Sequence, residues 1–395
     1  MKESKTWRDK GRKKMNTIKK IASSIWGFAK REVVLSIAII ATIITCFFVP
    51  IDKEYLGYFE YKTLIALFCM LAVVAGLKNT NVFELISKKL ISLFKTRRAV
   101  IYCLIYGTFL FDMIVANDMS LITFLPLTYI VLHSTNNDKY LAFTFILQTI
   151  AANMGGMITP HGNPQNLYLY SYYNIPTLEF FGVLLVQSIT VAVLLFICCL
   201  FIKNEKLSLR SDEKFEVKKK ELLIYGILFF LVIFCILRLI PLPGDLPHLV
   251  TLGIVVITVA AFDYKRFKYV DYALLATFCV FFVFSGNIAR IDIIKNFIAG
   301  IVEKNTLAAG IISCQFISNV PTAIFLSNFT DNYRELLVAV NIGSLGIIIS
   351  SLASLITIKE YLKHQPKGFK KYMGMFTMIN TAFLIVLIAV TLLLR

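Results

Sequence analysis

Two short segments combine an asparagine with residues that cap or break helices inside otherwise apolar sequence. One reads Ala116, Asn117, Asp118, Met119, Ser120; the other reads Ser318, Asn319, Val320, Pro321, Thr322. Asn117 or Asp118 suits the N-cap of a following helix, and Asn319 suits another, with Pro321 in the first turn where a missing N–H costs nothing. A helix beginning there aims its positive end at the same point, where a carboxylate or an oxyanion is stabilised. Asp118 adds a carboxylate that an apolar environment tolerates only when it is paired or neutralised. A bound cation or a proton would do so, which makes Asp118 a candidate for coupling one bound species to another.

Two further segments cannot stay helical. Residues 154–166 read MGGMITPHGNPQN, with three glycines and two prolines, and free several carbonyls and amides. Residues 341–354 are milder, with Gly343, Gly346 and a run of serines. Freed carbonyls can hold a monovalent cation and freed N–H groups an anion. His161 reads as a hydrogen-bonded neighbour, Asp112 as a carboxylate nearer the surface, and Gln148, Gln187 and Gln315 as interhelical hydrogen-bond formers.

The elements that position these residues follow from composition. Of 395 residues 57% are apolar and 16% charged, whereas a soluble chain has about half and a quarter. Charge-free stretches recur along the chain, several reaching the roughly 20 residues that cross about 30 Å of hydrocarbon. The eight cysteines lie in apolar segments without metal-ligand spacing and read as packing residues. The basic run before residue 33 reads as an orientation signal that touches anionic lipid, with no nucleic acid implied and no cleavable leader. With residues 99–133 and 305–329 as re-entrant hairpins, 33 of the 41 Lys and Arg fall on one side. That places the N-terminus in the cytoplasm and the C-terminus outside, with nine crossings.

The chain also repeats itself. Leu64, Ala66, Phe68, Cys69, Val73 and Gly76 match Leu274, Ala276, Phe278, Cys279, Val283 and Gly286 at one offset. Amphipathic stretches follow at 82–94 and 291–302, then the hairpins, then Asn153 and Gly155 matching Asn341 and Gly343. The copies enter their hairpins from opposite sides and are therefore inverted, a signature of alternating-access transport. The expected fold is an all-α polytopic membrane protein of two inverted repeats, each with a re-entrant hairpin and a broken transmembrane helix. Its parts are a basic segment 1–32, a first repeat 33–202, a cytoplasmic loop 203–221, a linker helix 222–241 and a second repeat 242–395.

These motifs resemble the ion transporter superfamily, including divalent anion:sodium symporters, citrate transporter-like permeases and the arsenite permease subunit. The run Thr159, Pro160, His161, Gly162, Asn163, Pro164, Gln165, Asn166 looks like the symporters' Thr-Pro-x-Gly-x-Pro-x-Asn break, with His in place of the usual Ile. The tips keep the asparagine of the symporters' Ser-Asn-Thr twice and its serine once. The Asn-Asp tip, with Thr123 and Pro126 after it, and the Asn-x-Pro-Thr tip look like the arsenite permease. The resemblance implies substrate contacts from Asn117, Ser120, Thr159, Pro160, Ser318, Asn319 and Thr322. It implies ion coupling through Asn117, Asp118, Gly155, Gly162, Asn319, Asn341 and Gly343, with Na⁺ at Asn117 and at Asn319. The expectation is a non-enzymatic inner-membrane permease, a homodimer without an organic cofactor, moving a small di- or tricarboxylate with Na⁺ or H⁺. Arsenite or antimonite efflux and Na⁺/H⁺ antiport are the alternatives.

Overall fold

The computed structural model describes residues 27–28, 32–83, 85–86, 89, 94–206 and 217–394. The basic N-terminal run and much of the first amphipathic stretch lie outside the described residues. The regular structure of the described residues is helical: α1 Val33–Cys46, α2 Tyr61–Lys78, α3 Arg97–Asp112, α4 Asn117–Ser134, α5 Leu141–Gly155, α6 Pro164–Tyr172, α7 Thr177–Leu200 and α8 Lys219–Ile236. A second series follows as α9 Leu246–Asp263, α10 Tyr272–Ala289, α11 Asp292–Lys304, α12 Thr306–Ile317, α13 Asn319–Leu326, α14 Tyr333–Ile342, α15 Leu352–His364 and α16 Phe369–Leu393. The order is the one the repeat predicts: α1 to α7 correspond to α9 to α16, with α11 supplying the amphipathic helix and α8 left over between them.

Six helices among the described residues, α2, α5, α7, α9, α10 and α16 with their short flanks, are long and apolar enough to cross a membrane. The other three expected crossings fall on α1, with 14 residues, on α8, which opens with Lys219, Lys220 and Glu221, and on the interrupted pair α14 and α15. Helix α11 meets α12 at 117°. It leaves Ile293 85% and Phe297 69% exposed, as an interfacial helix does. Arms α12 and α13 hold 12 and 8 residues, about 18 and 12 Å at 1.5 Å per residue, so neither spans the hydrocarbon.

The two repeats are interlocked. Within each, the first hairpin arm packs on the first half of the broken helix, α3 on α5 and α12 on α14. Across them, the second arm packs on the other repeat's second half-helix, α4 on α15 and α13 on α6. The first hairpin is anchored at its entry by the buried Arg97, which donates to Glu205 and Asn137 at 2.8 Å each. That bond holds the Glu205 carboxyl below its ordinary range. On the opposite side Arg290 binds Asp52 and lowers its carboxyl likewise.

Two expectations change. Neither Asn117 nor Asn319 is an N-cap; each is the first helical residue, behind Ala116 and Ser318, which make no side-chain cap. The second break is not milder, since α-helix is lost over 343–351 as over 156–163. Serines replace proline there: Ser344 Oγ donates to Asn341 O at 2.6 Å, and the single Ser350 hydroxyl proton has Ser344 O at 2.6 Å and Ile347 O at 2.7 Å as alternative acceptors. Such local bonds compete with the helical ladder.

Orientation has a direct test. Reporter fusions after Lys371 and after Arg395 are expected to report cytoplasm and exterior respectively, and two cytoplasmic signals would sink the nine-crossing topology.

Candidate functional site

Both hairpin tips are built alike. Ala116 has φ +134° and Ser318 φ +72°, a region non-glycine residues avoid and keep where function holds them. Just after each, the asparagine turns its Oδ1 back onto the next amide, accepting from Asp118 at 2.9 Å and from Val320 at 3.0 Å. Ser120 Oγ donates to Asn117 O at 2.9 Å and Thr322 Oγ1 to Ser318 O at 2.7 Å. The tips are thus rigid turns at the positive ends of α4 and α13.

The first break folds around Asp112, the last residue of α3, which is fully buried. One carboxylate oxygen accepts the Gly156 N–H, and the other has no hydrogen-bond partner. A Cβ on Gly156 would lie 2.6 Å from Asp112 Oδ2 and 2.9 Å from both Asn163 Oδ1 and Gly162 O, so only glycine lets these three oxygens converge. Asn163 Oδ1, Asn153 Oδ1 and Gln165 Oε1 are also buried without donors. Thr159 Oγ1 donates to Met113 O at 3.0 Å and accepts from Gly162 N at 3.1 Å, fastening the break to the tip. Gly155 packs its Cα against the backbone of Phe109.

The two breaks touch. Asn153 Nδ2 donates to Ser351 Oγ at 2.9 Å, Asn341 Nδ2 to Asn166 Oδ1 at 2.7 Å, and Gln165 Nε2 to Asn341 Oδ1 at 3.3 Å. A cavity of about 640 Å³ runs from Ala116, Asn117, Asp118 and His161 to Lys78, Arg266, Tyr269 and Asp271. Lys78, Arg266, Tyr269 and Asp271 at that end belong to, or border, the loops that the charge count assigns to the cytoplasm. A second space of about 270 Å³ shares Asp118 and Asp271 with it and reaches Ser318, Val320 and Pro321 of the other tip.

The structure therefore brings Asn117, Asp118 and Ser318 to adjoining cavities, and Thr159, Gly155 and Gly162 to the first break. Asn341 and Gly343 belong to the second break, where Asn319 lies close by through its bond with Ser318. Pro160 is buried but lines neither space, and Ser120 and Thr322 are buried within their helices. Gln148 and Gln187 do bond between helices, Gln148 to Leu104 O and Thr108 Oγ1 and Gln187 to Thr391 Oγ1. Sequence reasoning underrated Asp112, whose only signal was a carboxylate on a hairpin arm, and passed over Asn163 and Gln165 inside the break. All eight cysteines are free, and among the described residues no three His, Cys, Asp or Glu side chains cluster as metal ligands.

Comparison with known proteins agrees with this architecture. The model of the citrate transporter family matches residues 22–333. An uncharacterized transporter of Methanocaldococcus jannaschii is 33% identical over 301 residues, 76% of this chain and 81% of its own length. The inner membrane protein YbiR of Escherichia coli is 24% identical over 319 residues, 79% and 83% respectively. A Dictyostelium discoideum protein provisionally named transporter arsB is 29% identical over 179 residues, 44% of this chain and 30% of that protein.

Proposed function

Because the chain belongs to the citrate transporter family, a family of multi-pass membrane transporters, we propose that it is a secondary active permease for a small di- or tricarboxylate. The cation that drives it binds at the first break, and the substrate binds between the two tips. The reading includes the inner membrane, with the N-terminus in the cytoplasm, and a homodimer. The observation that carries it is the pair of adjoining cavities beside the two tips, each tip the start of a helix whose positive end faces the space. Unwound backbone at this depth belongs where it lines a cavity or is buried by protein. The unpartnered oxygens around Asp112 supply the matching demand for a cation.

A second reading has its own observation. Beside the tip the cavity wall carries the Asp118 carboxylate and no cation, while Lys78, Arg266 and Asp271 lie together at the other end, Arg266 paired with Asp263 at 2.7 Å. Such a wall suits a neutral oxyacid such as undissociated arsenite better than a dianion. A thermal-shift screen of the purified chain against citrate, succinate, sulfate and arsenite, each with and without Na⁺, separates the two. A ligand at 100 times its Kd adds about 2.7 kcal/mol to the folded state. The expected result is a carboxylate that raises the melting temperature only when Na⁺ is present. Stabilisation by arsenite alone would instead select the second reading, and no shift with any of the four would sink both.

A further inference from the structure

A cavity of about 150 Å³ lies apart from the tips and the breaks, beside the loop before α2 that the charge count places outside. Five aromatic rings line it, those of Tyr58, Phe59, Tyr168, Tyr172 and Phe282, with one charged group, the Glu60 carboxylate. The rings contact one another around the space: Tyr168 lies 5.6 Å from Phe282 and 5.3 Å from Tyr172 between centroids, and Phe59 meets Phe282 edge-on at 6.1 Å. A Cβ on Gly286 would fall 2.5 Å from Tyr58 Cγ, so glycine is what lets this ring lie against α10. Tyr168 and Phe282 are buried, whereas Tyr172 and Asn328 give the cavity an exposed edge. Glu60 precedes α2 without capping it, and its carboxylate accepts a long bond from Ser171 Oγ at 3.4 Å. Burial pushes that carboxyl above its ordinary range, against the weaker pulls of Lys62 and Ser171. The nearby cations are engaged with other carboxylates, Arg290 with Asp52 at 2.6 Å and Glu54 at 3.2 Å, and Lys62 with Asp245 at 2.9 Å.

We propose that this cavity is an aromatic cage for a small organic ammonium group, held among the rings of Tyr168, Tyr172 and Phe282 with Glu60 as its counter-ion. Such a ligand is distinct from the transported one, and its binding does not depend on the transport reading above. The face of an aromatic ring is electronegative and attracts a cation within about 6 Å of its centroid, more strongly where water is excluded. A half-buried carboxylate with one long hydrogen bond adds the demand for positive charge, and it turns an anion away. A bare metal ion is a poor occupant, because it wants a shell of about six oxygens. The wall offers mainly rings, and two of its hydroxyls are taken, Tyr168 Oη with Ser327 Oγ at 2.7 Å and Tyr58 Oη with Arg290 Nη1 at 3.0 Å. An alkylammonium needs no such oxygen shell, since its methyl groups carry the charge to the rings. An apolar cavity of about 150 Å³ holds benzene, so a trimethylammonium head of about five heavy atoms fits, with any tail leaving past Tyr172 and Asn328. Tyr168 and Tyr172 come from α6, which follows the first break, and Phe282 from α10. A bound ammonium therefore ties that half-helix to its neighbour on the outer side.

Calorimetric titration of the purified full chain, in a maltoside detergent, with choline and with neohexyl alcohol tests this on the unaltered protein. The alcohol is the neutral isostere of choline, with carbon in place of nitrogen. Choline is expected to bind saturably and the alcohol at least ~10-fold more weakly. Glu60→Gln is expected to lower choline affinity at least ~10-fold at unchanged melting temperature, and Tyr172→Leu, at the exposed edge, about 3- to 10-fold. Equal affinity for the two ligands, or no saturable binding of choline, would overturn the ammonium. Unchanged choline affinity in folded Glu60→Gln, or in Tyr172→Leu where the first variant does not fold, would overturn the cage as its place. Repeating the choline titration in nanodiscs of phosphatidylcholine and of phosphatidylglycerol identifies the source. Affinity lost in phosphatidylcholine alone supports the cage with a lipid headgroup as its occupant, and affinity kept in both supports it with a free ammonium compound.

Discussion

Asn117→Ala and Asn319→Ala are each expected to cut initial uptake in proteoliposomes about 10- to 100-fold while the melting temperature stays close to that of the unaltered chain. The separation follows from what each side chain does in the fold. Asn117 Oδ1 holds one amide, that of Asp118, and Asn319 Oδ1 holds that of Val320 and accepts from Ser318 Oγ. Losing such neutral bonds costs about 1 kcal/mol each. Losing an oxygen that meets a charged species costs about 1.5–3 kcal/mol, which is the expected fall in uptake. The two variants are also expected to differ in kind. Asn117 lies beside the first break, where the transport reading puts the coupling cation, so apparent Na⁺ affinity is expected to fall with transport. At Asn319, on the other tip, only substrate affinity is expected to fall. The assignment fails if stability and uptake fall together in both variants, because the asparagines would then be structural turns and nothing more.

The second large effect is a gain. Asp118→Asn is expected to tighten binding of a dicarboxylate by at least ~100-fold and to leave arsenite binding unchanged, with the Na⁺ requirement intact. Asp118 lines both cavities, and one of its oxygens is buried without a partner. Two unit charges 5 Å apart at an effective dielectric of 20 repel by about 3 kcal/mol, and a dianion feels that twice. An ionised Asp118 without a neutralising partner is thus a strong barrier to a dianion and none to a neutral acid, so a dicarboxylate binds the unaltered chain only when a proton or cation offsets that charge. Calorimetric titration of the variant with succinate and with arsenite reads both predictions. Unaltered succinate affinity would mean that the Asp118 charge does not face the substrate. Loss of the Na⁺ requirement would return the coupling role from Asp112 to Asp118.

Much of this site was legible because its signals are local. Asn117 and Asn319 stand out as polar residues inside apolar runs, and the glycines and prolines of 154–166 cannot continue a helix whatever surrounds them. The offset that pairs Leu64 with Leu274 also pairs α2 with α10, so the repeat fixed the order of parts. Asp112 was underrated because its depth depends on α3 packing across α5, which sequence spacing does not report. The caps were misplaced by one residue because positive φ at Ala116 and Ser318 is a tertiary constraint rather than a preference of those residues. Gln315, read as bonding to another helix, bonds instead to the unwound carbonyls of Gly343 and Leu345. Its landing there depends on where the break lies, which sequence spacing does not report.

The interlocking of the repeats has a consequence for how the chain is made. Helix α4 rests on α15, and α6 on α13. When the ribosome has delivered the first hairpin, the surface that will cover it has not been synthesised, since α15 follows roughly 200 residues later. At about 5–20 residues per second that is a wait on the order of 10–40 s. During it the buried carboxylate of Asp112 and the unwound stretch beside it already have α5 as a neighbour, but the outer face of α4 does not have its own. The nascent first half must therefore be held in a provisional arrangement, by lipid or by an insertion factor, until its inverted twin arrives to close it.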